Sequence, residues 1–330
     1  MSTDFLGQIF NDALHNKINE LVKSGMEEQE ILQEVNDSKI ENAVVALVNK
    51  ATENTLNEIK DKMFEISADH RASASVFIAH QESKWGTCFA ASEAMYTIAI
   101  EAAEDYSKYV EENIDEHKKE SLKHTFLCLQ HIHGRACQEF LEILYLMKLG
   151  FADGAYARWR SMYELSCIGC FIREQGERIA KQYLEQSQTE DKSYKWALGA
   201  INAKGKQPEN WNFNMIQEVC ELKEGWKDQY RLACFVTHGS PQGTMKRMAN
   251  GKTLNIVPIG QSDYGITTPA EHSAISLAWT TSLFLNVFPY TDGIVFCKVI
   301  NTWVDVIRDN YFSTHERLFN ELFDWPQKEV

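Results

Sequence analysis

An all-α fold is what this sequence predicts, and three observations predict it. The first proline of the 330-residue chain is Pro208, so no ring interrupts helix formation before it. Long stretches place apolar residues at helical spacing with charged residues between them. Only one short piece, "KTLNIVPI" at 252–259, has the character of a strand. The expected architecture is a helical bundle over 116–330, with an additional acidic helical region over 1–115. One long loop containing Gly and Pro spans 239–270.

The elements follow in order. Residues 26–66 alternate apolar and charged positions at helical spacing. A second helical block covers about 89–109, and a longer one runs from Asp115 to Leu149. Gly150 suits the position after a helix end, and Asp153 suits the N-cap of the next helix. That helix, "AYARWRSMYELSCIGCFIREQGERIAKQYL", is continuous to Leu184. Residues 185–212 form a connector holding one short helix. Arg231 and His238 then close a helix near Gly239, and the last helices run from Glu271 to Phe323.

Composition narrows the function classes. Apolar residues make up 44% and charged residues 24%, which is ordinary for a globular protein able to bury one large core or two modest ones. The net charge of −14 is uneven: residues 1–120 carry 24 acids and 11 bases, whereas 121–330 carry 23 and 22. No basic stripe marks a general nucleic-acid binder, but the near-neutral portion leaves room for a small RNA-cleaving site. The N-terminal twenty residues are mixed and amphipathic, so no secretory leader is expected. The most apolar stretch is broken by Asn286, Pro289, Asp292 and Lys298 and reads as buried helix, with no membrane association. Eight scattered cysteines fit buried free thiols in a reducing cytoplasm.

Several motifs fail on inspection. "GAINAKGKQ" at 199–207 resembles a phosphate-binding loop, but its glycines are one residue too far apart and Gln207 replaces the hydroxyl that would hold magnesium. No Glu-x-x-His occurs, which disfavours a di-iron bundle. Cys167 and Cys170 have redox spacing, yet they sit inside an amphipathic helix and read as buried thiols. His124, Cys128 and His131 share a helical face, but no further zinc ligand presents itself. No metal and no cofactor is expected.

Three arginines remain, each with a partner on its own helical face. Arg135 lies one turn before Glu139, a pair that reads equally as a surface salt bridge. Arg160 lies one turn before Glu164 among Trp159, Met162, Tyr163 and Leu165, so that pair is at least partly buried; it is either an ion pair fixing helix packing or a functional group. Arg231 lies two turns before His238. The histidine stands at a helix end, where the macrodipole favours positive charge, and a capping role is the simpler reading. The functional reading has Arg231 hold a phosphate while His238 exchanges a proton. Such a site would cleave RNA without metal, the ribose 2′-hydroxyl attacking its own phosphodiester and leaving a 2′,3′-cyclic phosphate.

The run "HGRACQEFLEILYLMKLGFADGAYARWRSMYELSCIGCFI" (133–172) resembles the signature helix pair of domain-of-unknown-function family fifty-six seventy-seven. "YRLACFVTHGSPQG" and "GITTPAEHSAISL" resemble later segments of the same family, so the likeness covers about residues 120–285. It places His133, Arg135, Arg160, Glu164, Arg231 and His238 on motif positions. The family's helical architecture is similar to HEPN domains, nucleotide-binding and ribonuclease domains of bacterial toxin and phage-defence systems. These carry Arg-x(4–6)-His, and Arg231 and His238 sit at the long end of that range. Leu232 departs from the pattern, because HEPN nucleases place a polar residue there. The resemblance implies an endoribonuclease with Arg231 and His238 catalytic and with Arg160, Glu164, Arg135 and His133 supporting them or the phosphate. It also implies a homodimer and an antitoxin or defence-system partner. The alternative is a non-catalytic helical module that binds a nucleotide, RNA or protein.

Overall fold

A computed structural model describes residues 5–35, 37–220, 224–238, 240–245, 247–250 and 259–320. Twelve α-helices and no strand occur among them. The strand-like piece at 252–259 lies, but for its last residue, outside the described residues, as does Gly239.

The chain divides into two compact units, Met1–Ala74 and Ser75–Val330. In the first, α1 (Phe5–Lys23) is followed by α2 (Glu28–Glu34). The first helical block expected, 26–66, is divided, its start forming α2, and the rest joins the block expected at 89–109 in one long helix, α3 (Asp37–Asn113). Residues 67–88, between the blocks, hold no proline and a single glycine, so nothing in them stops a helix already under way.

In the second unit α3 is followed by α4 (Glu116–Ser121), α5 (Lys123–Lys148), α6 (Ala152–Gln175) and α7 (Glu177–Gln186). The helix expected from Asp115 to Leu149 is therefore two helices. Asp115 caps α4 by accepting from the Lys118 amide at 2.9 Å, and Leu122 leaves the helical conformation between α4 and α5. The helix expected to reach Leu184 is also divided. Gly176 adopts φ 79°, which costs a glycine no Cβ clash, and the chain restarts as α7. Glu177 at that restart turns back on α5: its carboxylate accepts from the His124 amide at 2.8 Å and the Thr125 amide at 2.9 Å. Burial alone would raise this carboxyl, but those bonds outweigh it and hold it below the usual range. Gly150, at φ 76°, closes α5 as expected. Asp153 is not the N-cap. Phe151 occupies that position, and the Asp153 carboxylate accepts from the Met248 amide at 2.9 Å instead.

The connector 185–212 holds a single 3-10 turn, Lys195–Ala197. Then come α8 (Phe213–Val219), α9 (Glu224–Thr237), α10 (Pro241–Met245), α11 (Thr267–Leu285) and α12 (Thr291–Phe319). The core forms where α5 and α6 lie together, both packed on α11, which α12 also covers. No helix among the described residues is long and apolar enough to cross a membrane.

α11 is buried almost all round, and it places His272 under an aromatic roof. Its ring lies 4.7 Å from Trp159 and 5.4 Å from Trp226. On α5, His133 is buried against the Phe284 ring at 5.6 Å, with the Cys137 thiol 3.4 Å from its Nε2. Burial holds these imidazoles far below the ordinary histidine range, His133 at about 4 and His272 at about 3. An unfolded histidine takes up its proton near about 6.5, so below that pH the unfolded chain binds protons the fold refuses. The stability they contribute is complete above about pH 6.5 and is lost as the pH falls toward 4 and then 3. Thermal unfolding should show Tm declining steadily below pH 6.5, with a shallower decline in His272→Gln. Parallel slopes for the two proteins would refute this origin.

Candidate functional site

The site is built on α9, which has two unlike faces. Its inner face carries Trp226, Tyr230 and Ala233, at the i, i+4, i+7 spacing that points one way. Trp226 lies parallel to Tyr163 of α6 at 6.1 Å, and Tyr230 packs on Tyr163 and on Phe213 at 5.2 Å each. The Tyr156 hydroxyl donates to the Gln229 carbonyl at 2.8 Å, tying α9 to α6 a second time.

One polar group closes this contact. The Tyr230 hydroxyl donates to Glu164 Oε1 at 2.6 Å, and Arg160 Nη2 reaches the same oxygen at 3.0 Å. The Arg160 guanidinium also lies 5.5 Å from the Tyr230 ring centre, within cation–π range. Burial raises the Tyr230 phenol, and its bond to the carboxylate raises it further, so the hydroxyl stays a donor at neutral pH. Arg160 and Glu164 are thus a half-buried pair, and Tyr230 is the partner the sequence did not reveal.

The outer face carries Lys227, Arg231 and Cys234, and His238 follows at the helix end with its side chain exposed. Their spacing of 4, 3 and 4 lines them along one stripe. The Arg231 side chain is 70% exposed, and its Nη2 lies 3.1 Å from Asp228 Oδ1 one turn earlier. Lys227, Asp228, Tyr230, Arg231 and Cys234, with Asn214, Gln217 and Glu218 from the α8 side, line a cleft of about 360 Å³. Leu232 faces elsewhere: with Tyr156, Phe235 and Met248 it lines a separate, mostly apolar cleft of about 280 Å³. Leu232 is nonetheless 48% exposed.

The structure does not bring the other expected residues to this stripe. Among the described residues no hydrogen bond or ion pair joins Arg160 or Glu164 to Arg231 or His238. They meet α9 through Tyr230, and the Arg160 guanidinium is also within electrostatic reach of Cys234 on the stripe. His133 is buried in the core and neutral, with Cys137 and Phe284 against it. Arg135 belongs to a third cluster. Its Nε donates to Glu139 Oε1 at 2.9 Å, but the pair is no surface salt bridge, because Glu139 is only 1% exposed. Arg158, which sequence reasoning passed over, approaches the same oxygen at 3.1 Å and Glu142 Oε2 at 2.5 Å. Ser161 donates to Glu139 as well, at 3.0 Å. Burial nonetheless raises the Glu139 carboxyl above its ordinary range, against the pull of both arginines.

Elsewhere two of the three candidate metal ligands, His124 and Cys128, have other partners. His124 Nδ1 lies 2.5 Å from Glu177 Oε1, and the Cys128 thiol donates to the Ala180 carbonyl at 3.3 Å. No group of three or more His, Cys, Asp or Glu able to hold a metal ion occurs among the described residues. Cys167 and Cys170 are buried thiols.

Comparison with known proteins bears on the α5–α7 region. Residues 126–197 match the model of a family of unknown function, DUF5677. The match to DUF5677 takes in His133, Arg135, Glu139, Arg158, Arg160 and Glu164, and it ends before Arg231 and His238. No curated protein and no solved structure matches the chain.

The Glu139 cluster predicts an asymmetry within the DUF5677 region. Removing Arg158 leaves a buried carboxylate with its strongest neutralising partner gone, whereas Arg135 is nearly half exposed and easily spared. Arg158→Ala should cost on the order of 3 kcal/mol in denaturant unfolding, and Arg135→Ala roughly 1 kcal/mol or less. Equal losses would show that Glu139 does not rely on Arg158.

Proposed function

We propose that the outer stripe of α9 is an RNA-cleaving surface and that the chain is a metal-independent endoribonuclease. The observation that carries this reading is the exposed row Lys227, Arg231 and His238 beside the α8–α9 cleft. Arg231 is mostly exposed beyond its contact with Asp228, and an exposed guanidinium suits a phosphodiester oxygen. His238 accepts the proton of the ribose 2′-hydroxyl as that oxygen attacks phosphorus, or returns a proton to the departing 5′-oxygen. The new 2′-O–P bond replaces the P–O5′ bond, and a 2′,3′-cyclic phosphate remains. Lys227 adds charge along the strand. Arg160 and Glu164 are positioning residues that fix α9 through Tyr230.

The HEPN-like reading of the bundle, pairing of two copies, a cytoplasmic location, and an antitoxin or phage-defence partner belong to this same proposal. It rests on the resemblance and on the stripe together. A second reading draws on the Arg231–Asp228 ion pair and the self-satisfied Arg160–Glu164–Tyr230 set. Under it the same face binds RNA, a nucleotide or a protein partner without cutting.

Incubation of the purified chain with RNA in EDTA separates the two. Cleavage to 2′,3′-cyclic phosphate ends is expected, falling about 10²–10⁴-fold in His238→Ala and strongly in Arg231→Ala. Undiminished cleavage in His238→Ala rules out its role as acid or base. RNA retained by the wild type without cleavage, and released by Arg231→Ala, establishes the binding module instead.

A further inference from the structure

The first unit presents a feature that the α9 site does not use. From Asn42 to Ala74 no residue of α3 is buried, although this stretch is rich in large apolar side chains. Val45, Val48, Leu56, Ile59, Met63 and Ile66 are each 46–53% exposed. With Thr52 they stand 3, 4, 4, 3, 4 and 3 positions apart. That sequence of steps is the seam of a two-stranded coiled coil, interrupted by one four-residue stutter at Thr52. A helix of this length gains most of its stability from packing one face, and the apolar side chains of this one are left about half exposed.

We infer that this stripe is a dimerisation seam and that its occupant is the same stripe of a second copy of the chain. Three observations select that partner. The 3-and-4 spacing fits a helix carrying the same spacing, and an isologous contact supplies one without a further protein. Charge permits self-association: although residues 1–120 are strongly acidic, 42–74 hold five acids and four bases, none of them on the seam. The dimensions also suffice. Pairing over those 33 residues gives a seam about 50 Å long and one helix diameter of about 10 Å wide. That covers roughly 500 Å² per copy, near the roughly 1,000 Å² total that a specific interface requires.

Light scattering coupled to gel filtration, on the full chain, tests this independently of any nuclease activity. The wild type should elute at twice the monomer mass of 37.9 kDa. Ile59→Glu combined with Met63→Glu should elute as a monomer, and Asn54→Glu, off the seam, should remain a dimer. All eight tryptophans lie beyond Ala74, so their fluorescence melt reports on the second unit alone. An unchanged melt in the monomeric variant, with helical ellipticity lost, is the expected pattern. A monomeric wild type overturns the inference, as does a double variant that stays dimeric. So does a monomer whose fluorescence melt collapses, since the substitutions would then be acting on the whole fold.

Discussion

Everything in the second unit depends on one buried helix. α11 is enclosed by α5, α6 and α12, and a helix surrounded this way must satisfy each polar side chain without water. It does so largely from within. Thr280 and Thr281 donate back to carbonyls of the preceding turn, and Ser276 accepts from the Trp159 indole at 3.1 Å. Glu271, 1% exposed, is met by Arg308 of α12 at 2.6 Å. Alanine, serine and threonine also keep the helix narrow, so that Trp159 and Trp226 can close over His272. The placement of α9 follows from this. Its aromatic inner face stands on α6 and touches α11, which leaves the outer face free to be polar.

The same residue types therefore do two different jobs. Glu139 with Arg135 and Arg158, and Glu271 with Arg308, are carboxylates taken out of water and neutralised by arginines whose outer parts remain wet. Such pairs set how helices meet more than they add stability. Arg231 is the opposite case: it is mostly solvated, its ion pair is local, and it borders a cleft. The DUF5677 match covers the Glu139 cluster and stops short of both the Glu271–Arg308 pair and Arg231. The family match thus speaks for α5 to α7, and the chemistry proposed for α9 rests on its exposed stripe together with the resemblance of residues 230–243, which lie outside that match.

How much of this could be read in the sequence varies with the range of the interaction. Helical periodicity and the absence of early proline announced the all-α fold, and Gly150 marked a helix end, because these are local effects. The partial burial of Arg160 and Glu164 was legible from the aromatic residues around them. Tyr230 was not, since it lies 66 positions from Glu164 and only packing brings it there. Glu139 misled for the same reason: its one-turn spacing from Arg135 looks like a surface pair, and Arg158 arrives from the next helix. Lys227 could have been found, being one turn before Arg231 on the same face. The break at Gly176 carried a signal too, but the apolar pattern continuing to Leu184 overrode it.

Photocrosslinking of the intact chain to thiouridine-labelled RNA, with the adducts mapped by peptide mass spectrometry, locates the nucleic acid directly. Adducts concentrated from Lys227 to His238 and on the facing residues of α8 are the predicted result. Adducts confined to other segments, or a yield no higher than with an unrelated acidic protein, would contradict an RNA site on α9.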